Sequence, residues 1–327
     1  TESCHSPKSQ DELYRHRFFT NNEEFNHPGI PKSKGSLPLS HLKGKKFNQA
    51  DCFSTIMKKI KVRISSLMED SYDGKLKSAV QDFEKIEEDL IKFLPKMGKD
   101  GAGSLLKVGS IYYRGHVDGK ALYWLRECEE YSQGLVEKDN KEHFRKLYLC
   151  LADILIKEEM YGDAEFYLEK AENIIDEHLE DDESYEGVRG FSWLRALKAH
   201  ILLYNEEYKE AEEFYKESIE LKGILDNPRL EALAHDNLVD CYIENEELEK
   251  AKEELEIVLK KSQEFREGYY TEARYWRNKA RIVLLEKDEE NSKKYYEKAF
   301  EILEKELVPG NSLEVQYKKE YKKLLSS

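Results

Sequence analysis

Five copies of one helix-pair signature follow each other along this chain at intervals of 40 to 47 residues, and a period of that size confines the fold to a stack of repeated units. Each copy has a small residue, a bulky apolar residue four positions on and a small or apolar residue three further. The five are Ala121/Leu125/Cys128, Ala164/Leu168/Ala171, Ala211/Tyr215/Ser218, Ala251/Leu255/Val258 and Ser292/Tyr296/Ala299. A weaker copy, Ala79/Phe83/Ile86, stands 42 residues before the first. Steps of four and three keep these positions on one helical face. A single helix pair cannot bury such a face alone, so successive pairs must stack and share a core distributed along the chain.

Composition supports helices. Charged residues make up 37% of the chain, and 17 Gly with 7 Pro are too few for an architecture of strands and turns. The net charge of −14 is uneven: residues 1–63 hold twelve Lys and Arg against six Asp and Glu, which leaves −20 for the rest. Nonspecific nucleic-acid binding by the whole chain is disfavoured, because the phosphate contribution needs a net basic face. A local basic patch escapes that argument. The five cysteines are odd in number and irregular in spacing, so no disulfide framework is expected. Cys128, Cys150 and Cys241 fall within helical patterns as small core residues, which predicts a reducing, intracellular and cytoplasmic setting. No run approaches about eighteen apolar residues, and the first thirty residues carry charges and His where a secretory signal needs an apolar stretch.

Residues 1–48 read as an irregular basic arm with four of the seven prolines and the turn-forming His27-Pro28-Gly29. The basic runs Lys43–Lys46 and Lys58–Arg63 suit nucleic acid, an anionic membrane or, the reading preferred here, acidic surfaces of the chain itself. Cys4, His5, His16, His27, His41 and Cys52 lack the paired spacing of a zinc site, and no metal or cofactor is expected. Residues 49–97 read as an N-terminal helical hairpin. Ile56, Ile60, Ile64 and Leu67 form its first stripe, and Leu76, Val80, Phe83, Ile86, Leu90 and Phe93 the second. Pro95 and the stretch Gly98–Gly103 end it. Repeats occupy 98–306. Residues 307–327 read as a capping helix with the stripe Leu313, Tyr317, Tyr321 and Leu324, or alternatively as a dimerisation or membrane-surface helix.

The pattern Leu105-x2-Val108-Gly109-x2-Tyr112, followed after eight residues by Ala121-x3-Leu125, resembles the tetratricopeptide repeat. The same spacing joins Tyr148/Leu151/Ala152/Leu155 to Ala164, His235/Leu238/Val239/Tyr242 to Ala251, and Trp276/Lys279/Ala280/Val283 to Ser292. The unit around Ala211 departs, with Arg195 and Lys198 at the bulky sites, which predicts a rotated or shifted first helix. The resemblance implies an all-α, right-handed α-α superhelix, a TPR-like solenoid of five to six helix pairs between the irregular arm and the capping helix. These units are longer than the ordinary repeat of about 34 residues. In that they resemble the repeats of kinesin light chains, polarity adaptors and bacterial peptide-pheromone receptors, which bind peptides or protein segments. The helix-turn-helix of the transcriptional receptors has no counterpart here.

Arg274, Arg277 and Arg281, with Asn278, share one face of the first helix in the last full unit. The resemblance implies that this helix lines a concave groove, with Arg277 and Arg281 pointing into it and Asn278 and Asn237 placed to bond a ligand backbone. Leu233, Asp236, Asn237 and Asp240 are the matching positions in the preceding unit. Arginine forks match an acidic peptide, a C-terminal carboxylate or a phosphate. The alternative is that the arginines pair with Asp236, Asp240 and neighbouring acids. The aromatic doublets Tyr123-Trp124, Phe166-Tyr167, Phe214-Tyr215 and Tyr295-Tyr296 read as wedges between pairs rather than as a base-stacking ladder. No nucleophile elbow, phosphate loop or metalloprotease motif occurs. The expected function is therefore a non-catalytic scaffold or adaptor for a protein or peptide segment. The alternatives are an RNA binder, similar to interferon-induced tetratricopeptide proteins with a basic cavity, and a regulatory subunit whose arm fills its own groove.

Overall fold

The computed structural model describes residues 49–72, 75–93, 101–176, 184–264 and 271–326. The chain divides into two compact units, Thr1–Thr55 and Ile56–Ser327, and the second contains the repeats. The arm at 1–48, with Cys4, His5, His16, His27, His41 and the first basic run, lies outside the described residues, as does the Cys52 side chain.

Helices α1 (Gln49–Tyr72), α2 (Leu76–Glu84) and α3 (Glu87–Phe93) precede five pairs. These are α4 (Gly101–Arg114) with α5 (Asp118–Ser132), α6 (Lys141–Lys157) with α7 (Tyr161–Asp176), and α8 (Tyr185–Tyr204) with α9 (Tyr208–Ile224). Then come α10 (Pro228–Glu244) with α11 (Leu248–Ser262), α12 (Thr271–Leu285) with α13 (Glu289–Glu306), and the final α14 (Ser312–Ser326). No strand occurs among the described residues, and the fold is an all-α repeat superhelix. The glycine stretch differs from expectation, since Gly101 and Gly103 lie in the first turn of α4 rather than in a break. Gly101 and Ala102 are buried there, and their small size admits Cys128 of α5, whose Sγ donates to Ala102 O at 3.3 Å.

The signature positions are where the helices of each pair touch. Ala121, Ala164, Ala211, Ala251 and Ser292 are all fully buried, and the bulky residues four positions on are buried with them. At Gly109 a Cβ would stand 2.7 Å from both Cγ and Cδ2 of Leu125, so only glycine allows α4 and α5 this approach. Gly109→Ala is expected to lower stability by about 1–3 kcal/mol, read as a shifted midpoint in urea at unchanged slope.

Each pair turns through the same closure. His116, Glu159, Glu206, Glu246 and Lys287 have positive φ between 54° and 67°. The following N–H then reaches the carbonyl five residues back: Val117 to Tyr112, Met160 to Leu155, Glu207 to Leu202, Glu247 to Tyr242 and Asp288 to Val283, at 2.8–3.0 Å. This is the Schellman arrangement, usually built with glycine. Here the chain accepts left-handed strain at five charged or imidazole residues, and the repeated closure compensates for it.

Helix α8 is in register, contrary to the expected shift. Ala199, Ala211 and Tyr215 are buried as in the other units. Arg195 lays its guanidinium over Phe191 and Phe214 and meets Glu217 at 3.1 Å, while Lys198 pairs with Glu172 of α7. Long stems and paired heads thus fill the places of bulky apolar residues. In the aromatic doublets the second ring is the wedge: Trp124, Tyr167, Tyr215 and Tyr296 are buried, whereas Phe166 is half exposed.

The stack curves until its ends meet. Leu76 of α2 shares a buried cluster with Ala273, Ala299, Leu303, Leu307, Leu313 and Tyr317 from α12 to α14. Lys77 Nζ donates to Glu304 O at 2.6 Å, and Ser312 N–H donates to His116 O at 2.8 Å. Helix α14 packs on the last pair through Leu313 and Tyr317, with Tyr321 against Tyr296 and Phe300. The Leu324 side chain lies outside the described residues.

Candidate functional site

Helix α12 carries Arg274, Arg277 and Arg281 along one face, and the neighbouring α10 offers Asp236, Asp240 and Glu244 at steps of four. Both periods follow the helical turn, so the side chains interleave as a ladder. Arg274 binds Asp236 through Nε and donates through Nη2 to Asn237 Oδ1 at 2.9 Å. Arg281 is held by Asp240 and Glu244. Arg277, the most enclosed of the three, donates through Nη1 to Asp240 Oδ1 at 2.6 Å and to Asn278 Oδ1 at 2.9 Å. Its other edge grips Glu320 of α14 bidentately, Nε to Oε2 at 3.0 Å and Nη2 to Oε1 at 2.7 Å. Asn278 is fully buried and donates to Asp236 Oδ1 at 2.9 Å. Leu233, one turn before Asn237, is half-buried.

Three arginines therefore face four carboxylates, so this ladder is self-neutralised. Burial works against the charge on Glu320, but Arg277 outweighs it and holds the carboxyl below its usual range. Asp240 behaves likewise, burial being outweighed by Arg277 and Arg281. Asp236 goes the other way, because burial dominates and raises it. Tyr296 OH and Gln316 Nε2 complete the shell of Glu320 at 3.2 and 3.1 Å.

A second group of charges lies on the inner helices away from this ladder. Arg114 of α4 stacks 3.9 Å above the Tyr72 ring and donates to Ser71 O at 2.8 Å. Arg189 of α8 bonds Tyr72 and pairs with Glu186 at 3.2 Å. Lys222 continues the buried stripe Ala211/Tyr215/Ser218 of α9 and is itself buried. Burial, with Arg274 and Arg189 beside it, lowers its ammonium to about 8. His116 is buried, and desolvation, then the charges of Lys157, Arg274, Arg114 and Arg229, hold it well below the ordinary imidazole range. His200, whose Nδ1 donates to Ala196 O at 2.7 Å, is also lowered by burial.

The buried histidines set an acid limit. Burial holds both imidazoles below the unfolded pKa of about 6.5, so the unfolded state binds more protons as pH falls through that value. Stability is expected to fall as pH drops from there, by up to about 1.4 kcal/mol per pH unit per histidine. Denaturation midpoints between pH 7 and 5 check this, and His116→Gln should flatten the slope.

Residues 194–223 and 273–304 match a family model described as tetratricopeptide repeat. The chain thus carries tetratricopeptide repeats at these two helix pairs. One match covers the unit around Ala211, in accord with the retained register of α8, and the other covers the pair that carries the three arginines. No curated relative matches the chain in sequence. Among solved structures, it is similar to BtubC (BKLC) from P. vanneervenii at 18% identity, covering 74% of this chain and 90% of that one, TM-score 0.45. It is similar to the apo form of RapI at 16% identity, with 85% and 72% covered and a TM-score of 0.45. A tetratricopeptide repeat protein from Parabacteroides merdae is similar at 17% identity, with 81% and 99% covered and a TM-score of 0.39.

Burial pushes the Cys128, Cys150 and Cys241 thiols up to about 12, so they are unreactive core residues. Among the described residues no group of His, Cys, Asp and Glu is placed to hold a metal ion, and no helix is long and apolar enough to cross a membrane. Sequence reasoning brought Arg274, Arg277, Arg281, Asn278, Asp236, Asn237 and Asp240 together and missed Glu244, Glu320 and Lys222. Lys222 left a readable signal, as a lysine falling on the apolar stripe of its helix.

Proposed function

We propose that this protein is a non-catalytic, intracellular scaffold or adaptor that takes up a protein segment or peptide in the concave groove of its repeats. The observation that carries the reading is the Arg277 fork, which holds a carboxylate supplied by α14 rather than by the repeat units. A ligand carboxylate, from a chain terminus or an acidic side chain, takes the place of Glu320. Arg274 and Arg281 flank it, Asn237 meets its backbone, and Leu233, Asp236 and Asp240 form the adjoining wall. Asn278, expected from the sequence to bond the ligand, is fully buried and instead braces Asp236 and the Arg277 guanidinium from behind. Bidentate Arg–carboxylate geometry gives this exchange its selectivity.

Glu320→Gln tests the reading, because it keeps the side chain's size while removing its charge. An immobilised pool of peptides with free C-terminal carboxylates is expected to bind the variant about tenfold more tightly than the wild type, one charge-assisted bond being worth that factor. Amidated peptides should lose the gain. Equal binding of both proteins contradicts the proposed site, and a gain that survives amidation assigns the carboxylate to an acidic side chain.

A further inference from the structure

Helices α4, α6 and α8 bring a carboxylate and an indole together away from the Arg277 ladder. Tyr113 of α4 donates its hydroxyl proton to Asp153 Oδ2 of α6, and its ring lies 5.8 Å from that of Trp193 on α8, the planes 35° apart. Lys157, one turn after Asp153, reaches the same Oδ2 at 3.4 Å and sits 4.9 Å over the Tyr113 ring. Oδ2 and the Tyr113 hydroxyl are thus committed to each other. Asp153 Oδ1 and the Trp193 indole N–H are not: neither has a hydrogen-bond partner among the described residues, and neither is shielded from solvent. The other two tryptophans differ, since Trp124 donates to Glu87 Oε1 at 2.9 Å and Trp276 to Glu272 Oε1 at 3.3 Å. Trp193 is half-buried and the Asp153 side chain 16% exposed, so an acceptor and a donor stand open in a largely desolvated place, where a partner for each is favoured.

We infer that Asp153 and Trp193, braced by Tyr113, form a binding site for an arginine side chain on a segment of a partner protein. The guanidinium lies against the indole face and donates to Asp153 Oδ1, while the indole N–H meets a backbone carbonyl of the same segment. Each group selects for this ligand. The carboxylate repels anions, and the face of an aromatic ring attracts cations, most strongly in tryptophan. A guanidinium is planar and weakly hydrated, so it stacks where a compact ammonium keeps its water. It carries donors only, so the indole N–H needs a separate acceptor, which a peptide backbone supplies. A carboxylate shared by two cations has a precedent in the same molecule, since Asp240 Oδ1 takes both Arg277 and Arg281. The charge of −20 beyond residue 63 draws a basic segment toward the repeats. The site is separate from the Arg277 fork, which takes the opposite charge, and does not rest on that reading.

The test is a proton–nitrogen correlation spectrum of the full chain, which shows one indole signal for each of the three tryptophans. Trp193→Phe removes, and so identifies, the signal of Trp193. The probe is acetyl-Gly-Arg-Gly-amide, whose amidated end leaves the Arg277 fork unengaged. Titration to about 10 mM, a range suited to one stack and two bonds, is expected to move the Trp193 signal saturably and to leave those of Trp124 and Trp276 in place. Asp153→Asn keeps the side chain's size and an oxygen for Tyr113, so it should fold, with the Trp124 signal unchanged, and bind about tenfold more weakly. Counterpart peptides with lysine or leucine in place of arginine should bind more weakly than the arginine peptide. No shift with the arginine peptide, undiminished binding by Asp153→Asn, or an equal response to the lysine or leucine peptide overturns the site.

Discussion

Arg277→Ala is expected to destabilise the protein by about 3–5 kcal/mol, the cost of leaving a buried carboxylate without its counter-charge. Glu320 loses its partner and Asp240 one of two, since Arg281 still holds Asp240. The loss should exceed that of Arg274→Ala, because Arg277 joins α12 to both α10 and α14, and its side chain is 10% exposed against 22%. The effect is also directional in pH. Glu320 and Asp240 are held below their unfolded values, so the stability they contribute is present above about pH 4.5 and is lost as pH falls through the folded values. In Arg277→Ala this acid-labile part should already be missing at neutral pH, which urea titrations at pH 7 and pH 4 will show as a smaller difference than in the wild type.

The second large effect is predicted at Trp124, where truncation to alanine is expected to cost about 3–5 kcal/mol. The indole is fully buried, meets the Phe83 ring edge-on at 6.4 Å and donates Nε1–H to Glu87 Oε1 at 2.9 Å. Phe83 also meets Tyr112 edge-on at 5.4 Å, and Val80 abuts Gly115, where a Cβ would approach its Cγ2 to 2.6 Å. Trp124 is thus the central contact between the first pair and α2 with α3. Its loss should free those helices from the stack before the later repeats open, seen as hydrogen exchange of residues 76–93 well ahead of α10 and α12. Trp124→Phe keeps a ring against Phe83 and should cost less.

Much of the fold was legible because the period rests on sterics. Small residues such as Ala164 and Gly109 are required wherever two helices come close, and that requirement repeats with the unit. The turns were not legible, because Glu159, Glu206 and Glu246 adopt a left-handed conformation that sequence reading assigns to glycine or asparagine. Register at α8 was misread for a similar reason: Arg195 and Lys198 look polar by type but act through their stems and stacked heads. The arginine face of α12 was visible in its spacing, and Asp236 and Asp240 stood opposite at a matching spacing. Glu320 was not visible, because its meeting with Arg277 depends on how Pro309-Gly310-Asn311 redirects the chain, with Gly310 at a φ of 76° and Ser312 tied back to His116. A contact set by closure of the whole stack leaves no local trace.

That closure, and the exchange of carboxylates proposed for ligand binding, both depend on Arg277 and Glu320 being energetically joined. The most direct measurement is a double-mutant cycle on urea stability using Arg277→Ala, Glu320→Ala and the pair. A coupling of about 2–3 kcal/mol, at the upper end for contacting residues, is the predicted result. A coupling below about 0.5 kcal/mol would mean that the two residues act independently, and would contradict both the capped stack and the groove end built on it.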